Sequence, residues 1–298
     1  MANYLDPKND LTFKRVFGEH EHLCISLINS MLPLEKPIVS IEYQTGELAP
    51  ELDILRNTIV DVRCTDDDGR QFLVEMQLFW YDSFKKRVLL NASKAYVMQL
   101  DAAENFKLLQ PVYSLNFVNE TFEKSKEMTD QYFHHYKIVN IKDTQKQIKG
   151  LEFVFLELPK FKPKNRAEKK LHELWLRFLT EVDEKTDKIP QELLAEKDIC
   201  EAIGYMERSA YTKEQLIAYD KWKIDTMTAR SMLDDAEGIG RVKGRAEERA
   251  ISEAKLQEEK IKITIKALKK GMSIEDVSDM TGLSIEEIIE IQKKIENE

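Results

Sequence analysis

The chain has 298 residues, which is enough for one globular core with an appended helical region. Charged residues make up 33% of it and the formal net charge is −9, which argues against a broad basic surface that coats DNA. The cysteines Cys24, Cys64 and Cys200 show no metal-ligand spacing, and no apolar run approaches the roughly 18 residues of a membrane span. Since no apolar segment typical of a signal peptide opens the sequence, we expect a cytoplasmic protein with reduced thiols.

Residues 10–32 form the first predicted helix, because apolar side chains recur there at intervals of three and four and prolines follow. Asp10 suits the N-cap position, and it is equally an acidic group that the helix could supply to a metal site. Lys14 lies one turn further along the same face, where it is either a solvated lysine or a contact to a phosphate. A short strand is predicted at residues 38–43.

The next segment, residues 58–80, is typical of a β-hairpin. Its predicted strands are residues 58–64, which are rich in β-branched side chains, and residues 71–79. The turn between them is the cluster Asp66-Asp67-Asp68-Gly69, whose glycine can adopt a positive φ. No EF-hand pattern surrounds these aspartates, so a solvated turn is favoured over a calcium site.

This hairpin is expected to bring three polar side chains together. Folding about the turn places Asp61 opposite or nearly opposite Glu75, and strand alternation puts Gln77 on the same face as Glu75. Because an unpaired buried carboxylate is costly, two carboxylates on an otherwise apolar strand pair indicate a divalent cation. Oxygen ligands suit Mg²⁺ or Mn²⁺. The alternative is a polar hairpin face that is directed to water.

The following segments predict the rest of an α/β core and then a helical region. Arg87 lies on the first of these helices as either a surface charge or a substrate contact, while His134 and His135 are assigned to a strand surface. A basic, proline-interrupted connection at residues 160–166 leads into the helical region. In chain order we expect a helix at 84–100, strands at 111–118, 132–140 and 151–158, and helices at 167–182, 190–208 and 213–234.

The C-terminal tail is charged and helix-prone. Three glycines at positions 238, 240 and 244 are expected to interrupt the helical run, and residues 245–270 carry only a sparse apolar stripe, which indicates a partner helix. Two short helices joined by a turn at residues 281–283 resemble a small helix-turn-helix. Because the second of them is acidic, a packing or oligomerising hairpin is favoured over a DNA reader.

Several motifs together resemble a known enzyme family. Asp61, followed after 13 residues by Glu75-x-Gln77, resembles the core of the PD-(D/E)XK nuclease superfamily, with Gln77 at the position where lysine is usual. The resemblance extends over about residues 3–240 and is closest to the Rpn family of recombination-promoting nucleases, also described as transposases of the PD-(D/E)XK type. The segments that carry it are residues 9–18, 74–77, 86–100 and 109–117.

The resemblance implies an α/β fold in which helices flank a mixed sheet. We expect a nuclease-like core at residues 1–160, a helical subdomain at 161–236 and a charged helical tail at 237–298. The implied activity is a DNA endonuclease dependent on Mg²⁺ (or Mn²⁺) that promotes recombination. In that activity Asp61 and Glu75 bind the metal, Gln77 and Asp10 complete the catalytic set, and Lys14 and Arg87 contact DNA.

Two other functions stay open. The glutamine in place of lysine and the acidic net charge favour a nuclease fold that has lost catalysis and serves as a DNA-binding or protein-interaction module. Alternatively, the chain is an interaction protein whose tail, from about Gly244, drives self-association. An oligomerising tail is also compatible with a nuclease, because it would bring two active sites together.

Overall fold

The computed structural model describes residues 4–48, 58–100, 105–163 and 170–296. The chain divides into two compact units, Met1–Ile224 and Asp225–Glu298. Residues 164–166 of the predicted basic connection and the start of the helix predicted from residue 167 lie outside the described residues. The three-part division at residues 160 and 236 stays a prediction. No helix within the described ranges is long and apolar enough to cross a bilayer.

The structure contains helices and strands in an alternating order typical of α/β proteins. The strands are β1 Ile41–Gln44, β2 Glu47–Leu48, β3 Thr58–Ile59, β4 Val62–Asp66, β5 Gln71–Gln77, β6 Val112–Val118, β7 Phe133–Asn140 and β8 Asp143–Glu157. The helices are α1 Asp10–Glu19, α2 Glu21–Met31, α3 Phe84–Val97, α4 Leu171–Glu181, α5 Gln191–Leu194, α6 Lys197–Met206, α7 Lys213–Leu268, α8 Ile274–Thr281 and α9 Ile285–Glu296.

Six strands form a mixed sheet in the order β1-β4-β5-β6-β8-β7, and β2 pairs with β3 separately. The central neighbours β5, β6 and β8 are parallel, whereas the outer strands pair antiparallel. Strand β6 is buried along almost its whole length, as expected of a central parallel strand that is covered on both faces. The predicted α/β class with a mixed sheet is confirmed.

Helices cover both faces of this sheet. Successive residues of β5 point to opposite faces, so that Phe72 and Val74 join the large core beneath α1, α2, α4 and α6, while Leu73 packs toward α3. Trp175 of α4 is fully buried in the large core and donates from Nε1 to Ser26 Oγ at 3.2 Å. Helices α4 and α6, which follow the sheet in the sequence, therefore share its main core.

The N-terminal helix differs from the prediction of one helix over residues 10–32. The chain leaves the helical conformation at His20 (φ −125°, ψ 95°), which separates α1 from α2. The His20 ring lies 3.9 Å from the ring of Tyr205 on α6, a contact that sequence periodicity does not encode. The N-cap is Asn9, whose side chain accepts from the Leu11 N–H at 2.8 Å. Asp10 is therefore the first helical residue, and its prediction as the cap is wrong.

Other predicted elements are also divided or extended. The first hairpin strand is split, because the chain bends at Asp61 between β3 and β4. The helix predicted at 190–208 forms two pieces, α5 and α6. In contrast, α7 continues for 56 residues through Gly238, Gly240 and Gly244, so their prediction as interruptions is wrong. A helical glycine costs only about 1 kcal/mol, which the neighbouring helix formers of a long helix can offset.

Local turn chemistry agrees with the prediction. Gly69 has a φ of +79°, and a Cβ there would lie 3.1 Å from Gln110 Cγ. Asp66 Oδ1 accepts from the backbone N–H groups of Asp68 (3.2 Å) and Arg70 (2.9 Å) and thereby closes the turn between β4 and β5. The predicted hairpin turn is confirmed.

The second unit contains the predicted pair of short helices. Ser273 caps α8 by accepting from the Asp276 N–H at 3.2 Å, and Gly282 ends that helix with a φ of +67°. Ser284 and Glu287 then form a reciprocal capping box at the start of α9. A small core of Ala267, Val277, Leu283 and Ile288 holds these helices against the end of α7.

Candidate functional site

Asp61 lies where the chain bends into strand β4. The outermost residue pair of the β4–β5 ladder joins Val62 to Val74, and Asp61 immediately precedes it. Oδ2 of Asp61 accepts a hydrogen bond of 2.7 Å from the backbone N–H of Met76. This hydrogen bond anchors the Asp61 carboxylate to the strand residue that follows Glu75.

Glu75 lies on the face of β5 that α3 covers, and it is only 3% exposed. Asn91 donates from Nδ2 to Oε1 of Glu75 at 3.0 Å, and Arg87 donates from Nη2 to Oε2 at 3.0 Å. Residues four apart on a helix lie on the same side, so one face of α3 supplies both donors. Each oxygen of the buried Glu75 carboxylate therefore has a hydrogen-bond partner.

Gln77, at the end of β5, is oriented from two sides. Its Oε1 accepts from Arg87 Nη2 at 2.8 Å, and its Nε2 donates to the carbonyl oxygen of Phe79 at 2.6 Å. The same Arg87 nitrogen thus bridges Glu75 and Gln77, and the guanidinium carbon lies 4.9 Å from the ring centre of Phe84. A positive charge therefore stands beside the glutamine, close to where the family pattern has a lysine.

Helix α1 contributes a second charged pair. Lys14 Nζ lies 2.7 Å from Asp10 Oδ1, and the two side chains are 39% and 53% exposed. Both charges influence the ionisation of Asp61, Asp10 by repulsion and Lys14 by attraction. The structure thus brings together Asp61, Glu75, Gln77 and Arg87, and it places the Asp10–Lys14 pair within electrostatic range of Asp61.

Both carboxylates at the centre of the site are harder to ionise than usual. Burial raises the pKa of Asp61 to about 6; the Met76 N–H opposes this rise, and repulsion from Glu75 and Asp10 adds to it. Burial also raises the pKa of Glu75, against the attraction of Arg87 and the hydrogen bond from Asn91. Two buried carboxylates with raised pKa values in one place mark a candidate functional site.

The donor set fits a divalent cation with oxygen ligands. No group of three or more histidine, cysteine, aspartate or glutamate side chains forms a complete metal cage among the described residues. Mg²⁺ commonly uses only one or two protein carboxylates and completes its shell with water and phosphate. Over the described ranges, Oδ1 of Asp61 makes no hydrogen bond, and each Glu75 oxygen can accept a second one. Asp61 and Glu75 can therefore both contribute a ligand.

Asn91 is a residue of the site that sequence reasoning missed. It is fully buried, and within the described residues its Oδ1 has no hydrogen-bond partner, nor does Nε of Arg87. A signal was present, because Asn91 interrupts the apolar face of a helix one turn after Arg87. A buried polar side chain at such a position indicates a hydrogen-bonding task.

A second buried polar cluster lies at the ends of β7 and β8. His134 Nε2 lies 2.7 Å from Glu157 Oε1, and Lys160 Nζ lies 2.8 Å from the same oxygen. Oε2 of Glu157 accepts from the backbone N–H groups of Phe122 (2.7 Å) and Glu123 (3.2 Å). The assignment of His134 to a strand surface is wrong, because the Phe122 ring packs 5.2 Å from it and His134 is 4% exposed.

The sequence comparisons agree with the geometry of the site. A family model described as PD-(D/E)XK nuclease family transposase matches residues 7–236, which is more than half of the chain. No curated protein and no solved structure gives a significant match. The matched span contains the whole sheet and every side chain of the candidate site, and it confirms the family resemblance drawn from the motifs.

Proposed function

Because the chain belongs to the PD-(D/E)XK nuclease family transposases, we propose that it is a metal-dependent DNA endonuclease. The observation that carries the proposal is the convergence of Asp61 and Glu75 at the ends of β4 and β5, with Arg87 beside them. The proposed reaction is hydrolysis of a phosphodiester bond in DNA. We propose that the resulting strand breaks promote recombination.

In this proposal Asp61 and Glu75 hold Mg²⁺ or Mn²⁺. When bound, the cation supplies charge to the scissile phosphate and lowers the pKa of a coordinated water. Asn91 and the Met76 N–H keep the two carboxylates in place, which preserves the geometry of the ligands. Asp61, whose pKa burial raises to about 6, is mostly ionised at neutral pH and so can serve as a ligand there.

Arg87 and Gln77 act together in the proposed reaction. Gln77 cannot supply the charge that a lysine supplies, but its amide fixes the Arg87 guanidinium at 2.8 Å. We propose that Arg87 stabilises the charge that develops on the phosphate, while Gln77 orients Arg87 and the attacking water. Asp10 and Lys14 complete the site from α1; Lys14 exchanges its exposed pairing with Asp10 for a phosphate oxygen.

A specific observation favours a second candidate function. Arg87 and Asn91 already occupy both oxygens of Glu75, so the buried carboxylate is compensated in the absence of metal. That arrangement suits a nuclease fold that binds DNA without cutting it. The endonuclease and the DNA-binding module are distinguished by metal-dependent cleavage, which only the endonuclease performs.

Cleavage of supercoiled plasmid tests the proposed function. The wild-type chain should nick the plasmid in Mg²⁺ or Mn²⁺ and not in EDTA, and Glu75→Gln should abolish nicking. The matched control is Glu152→Gln, which removes a carboxylate that pairs with His135 and Lys137 elsewhere on the sheet. Plasmid that stays intact with the wild-type chain in every metal would support the binding module instead.

A further inference from the structure

Strands β7 and β8 continue beyond the sheet as a two-stranded ribbon. Pairing between β6 and β8 begins at Val112 and Leu151, whereas β8 itself starts at Asp143. Over residues 143–150, β8 therefore pairs with β7 alone, and the two strands join through a turn at Ile141 and Lys142. We call residues 136–149 the ribbon arm.

The ribbon arm is exposed and carries local positive charge. Every one of its residues is exposed except Asp143, which is half-buried. Its four lysines oppose one aspartate, giving a formal charge of +3 in a chain whose net charge is −9. Ile141, at the tip, is 96% exposed. Ile138, Val139 and Ile148 are exposed as well, and exposed apolar side chains grouped among polar ones mark a candidate binding surface. The lysines are Lys137, Lys142, Lys146 and Lys149.

The cations of the ribbon arm can accept new partners. Lys146 pairs with Asp143 at 3.3 Å and Lys149 with Glu35 at 2.9 Å, but the lysines are 77% and 68% exposed in these pairs. Such surface pairs contribute little to stability, so a phosphate can replace the carboxylate. Lys142 forms no ion pair within the described part of the chain.

The edge of the ribbon arm is unsuited to pairing with another strand. Its register shifts between Lys137 and Ile138 and again between Val139 and Asn140. Bulges and lysines at an edge strand hinder the addition of a further strand. These features favour nucleic acid over a second protein chain as the partner.

The base of the ribbon arm contacts α3, the helix that also supplies Arg87 and Asn91 to the candidate site. Tyr136 Oη lies 3.5 Å from Lys85 Nζ, which also lies 5.4 Å from the centre of the Tyr136 ring. Lys85 is in the first turn of α3, two residues before Arg87. The arm is therefore connected to the site through α3, although Lys85 and Arg87 project from that helix in different directions.

We infer that the ribbon arm enters a groove of duplex DNA, with its lysines on the phosphates and Ile141 against the base edges. The major groove of B-form DNA is about 12 Å wide and admits a two-stranded ribbon. The inference rests on the proposed function, because it takes DNA to be the substrate. The ribbon arm would then be a second DNA-binding surface, separate from Asp61 and Glu75.

Anisotropy of a short fluorescein-labelled duplex tests the inference with the full chain in EDTA, where cleavage is not expected. The double variant Lys142→Glu/Lys146→Glu should weaken binding by about tenfold or more and reduce the slope of log K against log salt by about 2. Ile141→Gln should weaken binding severalfold and leave the slope unchanged. The matched control, Lys185→Glu/Lys188→Glu, makes the same charge change on an exposed loop and should bind like the wild type.

Unchanged affinity in the ribbon variants, or an equal loss in the control, would overturn the inference. If those variants instead change the mass measured by light scattering, the arm is a protein interface and the inference is also wrong. Plasmid nicking measured with the same preparations distinguishes failure of the ribbon-arm proposal from failure of the proposed endonuclease activity. If the ribbon variants nick plasmid and bind DNA with normal affinity, the proposed DNA contact of the arm is wrong and the proposed endonuclease activity is retained. A wild-type chain that neither binds nor cuts DNA would contradict both proposals.

Discussion

Arg87 connects Glu75, which matches the family pattern, with Gln77, which departs from it. One of its guanidinium nitrogens lies 3.0 Å from Glu75 and 2.8 Å from Gln77. An arginine is always charged and has several donors in a fixed plane, so it can hold the glutamine, the carboxylate and a phosphate at once. The glutamine at position 77 is therefore compatible with catalysis, because a cation reaches the same place from α3.

Transferring the positive charge from position 87 to position 77 tests the role of Arg87. Arg87→Met should lower the rate of plasmid nicking by about 100-fold, the usual effect of removing one group that stabilises transition-state charge. Adding Gln77→Lys to Arg87→Met should restore part of the rate, because the lysine returns a positive charge to the site. Lys86→Met, at an exposed neighbour on α3, is the control. A double variant as inactive as Arg87→Met alone would contradict the role of charge.

The ionisation of Asp61 makes stability depend on pH. Its pKa rises from 3.8 in the ordinary carboxyl group to about 6 on folding. Between these pH values the folded chain keeps a proton that the unfolded chain has released, so the free energy of unfolding decreases as pH rises from about 4 to about 6. Above that range the loss is complete, and it amounts to no more than about 3 kcal/mol.

Asp61→Asn should remove this pH dependence. Because asparagine keeps an oxygen for the Met76 N–H and carries no charge, the variant should be more stable than the wild type in urea denaturation at about pH 8 without metal and should lose the advantage near pH 4. Asp82→Asn, at an exposed loop position, should behave like the wild type. Identical pH profiles for the wild type and Asp61→Asn would show that burial does not raise the pKa.

At the scale of elements, Glu157 joins the segment after β6 to the edge of the sheet. It is fully buried, and Lys160, which pairs with it, also donates to the carbonyl oxygens of Glu123 (2.6 Å) and Met128 (3.1 Å). The Glu157 carboxylate is thus the shared partner of His134, Lys160 and two backbone N–H groups. Removing one partner of a buried ion pair leaves the other uncompensated.

Glu157→Gln should therefore lower the free energy of unfolding by about 3 kcal/mol or more, measured by urea denaturation. Glu152→Gln, whose carboxylate is partly exposed on the same strand, should cost about 1 kcal/mol or less. Equal losses in the two variants would contradict the special role of the Glu157 cluster.

The elements that sequence predicted well are those that local chemistry determines. The turn at residues 66–69 needs a glycine with positive φ, and the capping boxes of the tail are readable over four residues. The break at His20 depends on a ring 185 positions away, on Tyr205, and the bend at Asp61 depends on a hydrogen bond to another strand. The pairing of Glu75 with Arg87 and Asn91 likewise needs the packing of α3 on β5, which motif spacing does not report.

At the scale of the whole molecule, the second unit presents an apolar helix surface to solvent. Over its portion of α7, Met232, Ile239 and Val242 are each more than half exposed, and their spacing of seven and three residues places them on one side of the helix. A helix stripe of this kind buries little by itself and suits a partner helix. We propose that the stripe mediates self-association, which would bring two nuclease sites onto one DNA.

Ile239→Lys/Val242→Lys should then reduce the mass of the full chain in light scattering, because lysines disrupt an apolar helix contact. The substitutions lie on an exposed helix surface, so circular dichroism should show an unchanged helical content. A wild-type chain with the mass of one copy, or a variant with undiminished mass, would contradict self-association through this stripe.

The central claim is that Asp61 and Glu75 bind one divalent cation, and titration of Mn²⁺ followed by electron paramagnetic resonance tests it most directly. We expect the wild-type chain and Glu152→Gln to bind Mn²⁺ with affinity that decreases as pH falls below about 6, where Asp61 takes up a proton. Asp61→Asn and Glu75→Gln should lose the bound ion while remaining folded. Mn²⁺ binding that both variants retain, or its absence from the wild-type chain, would contradict the assignment of this site.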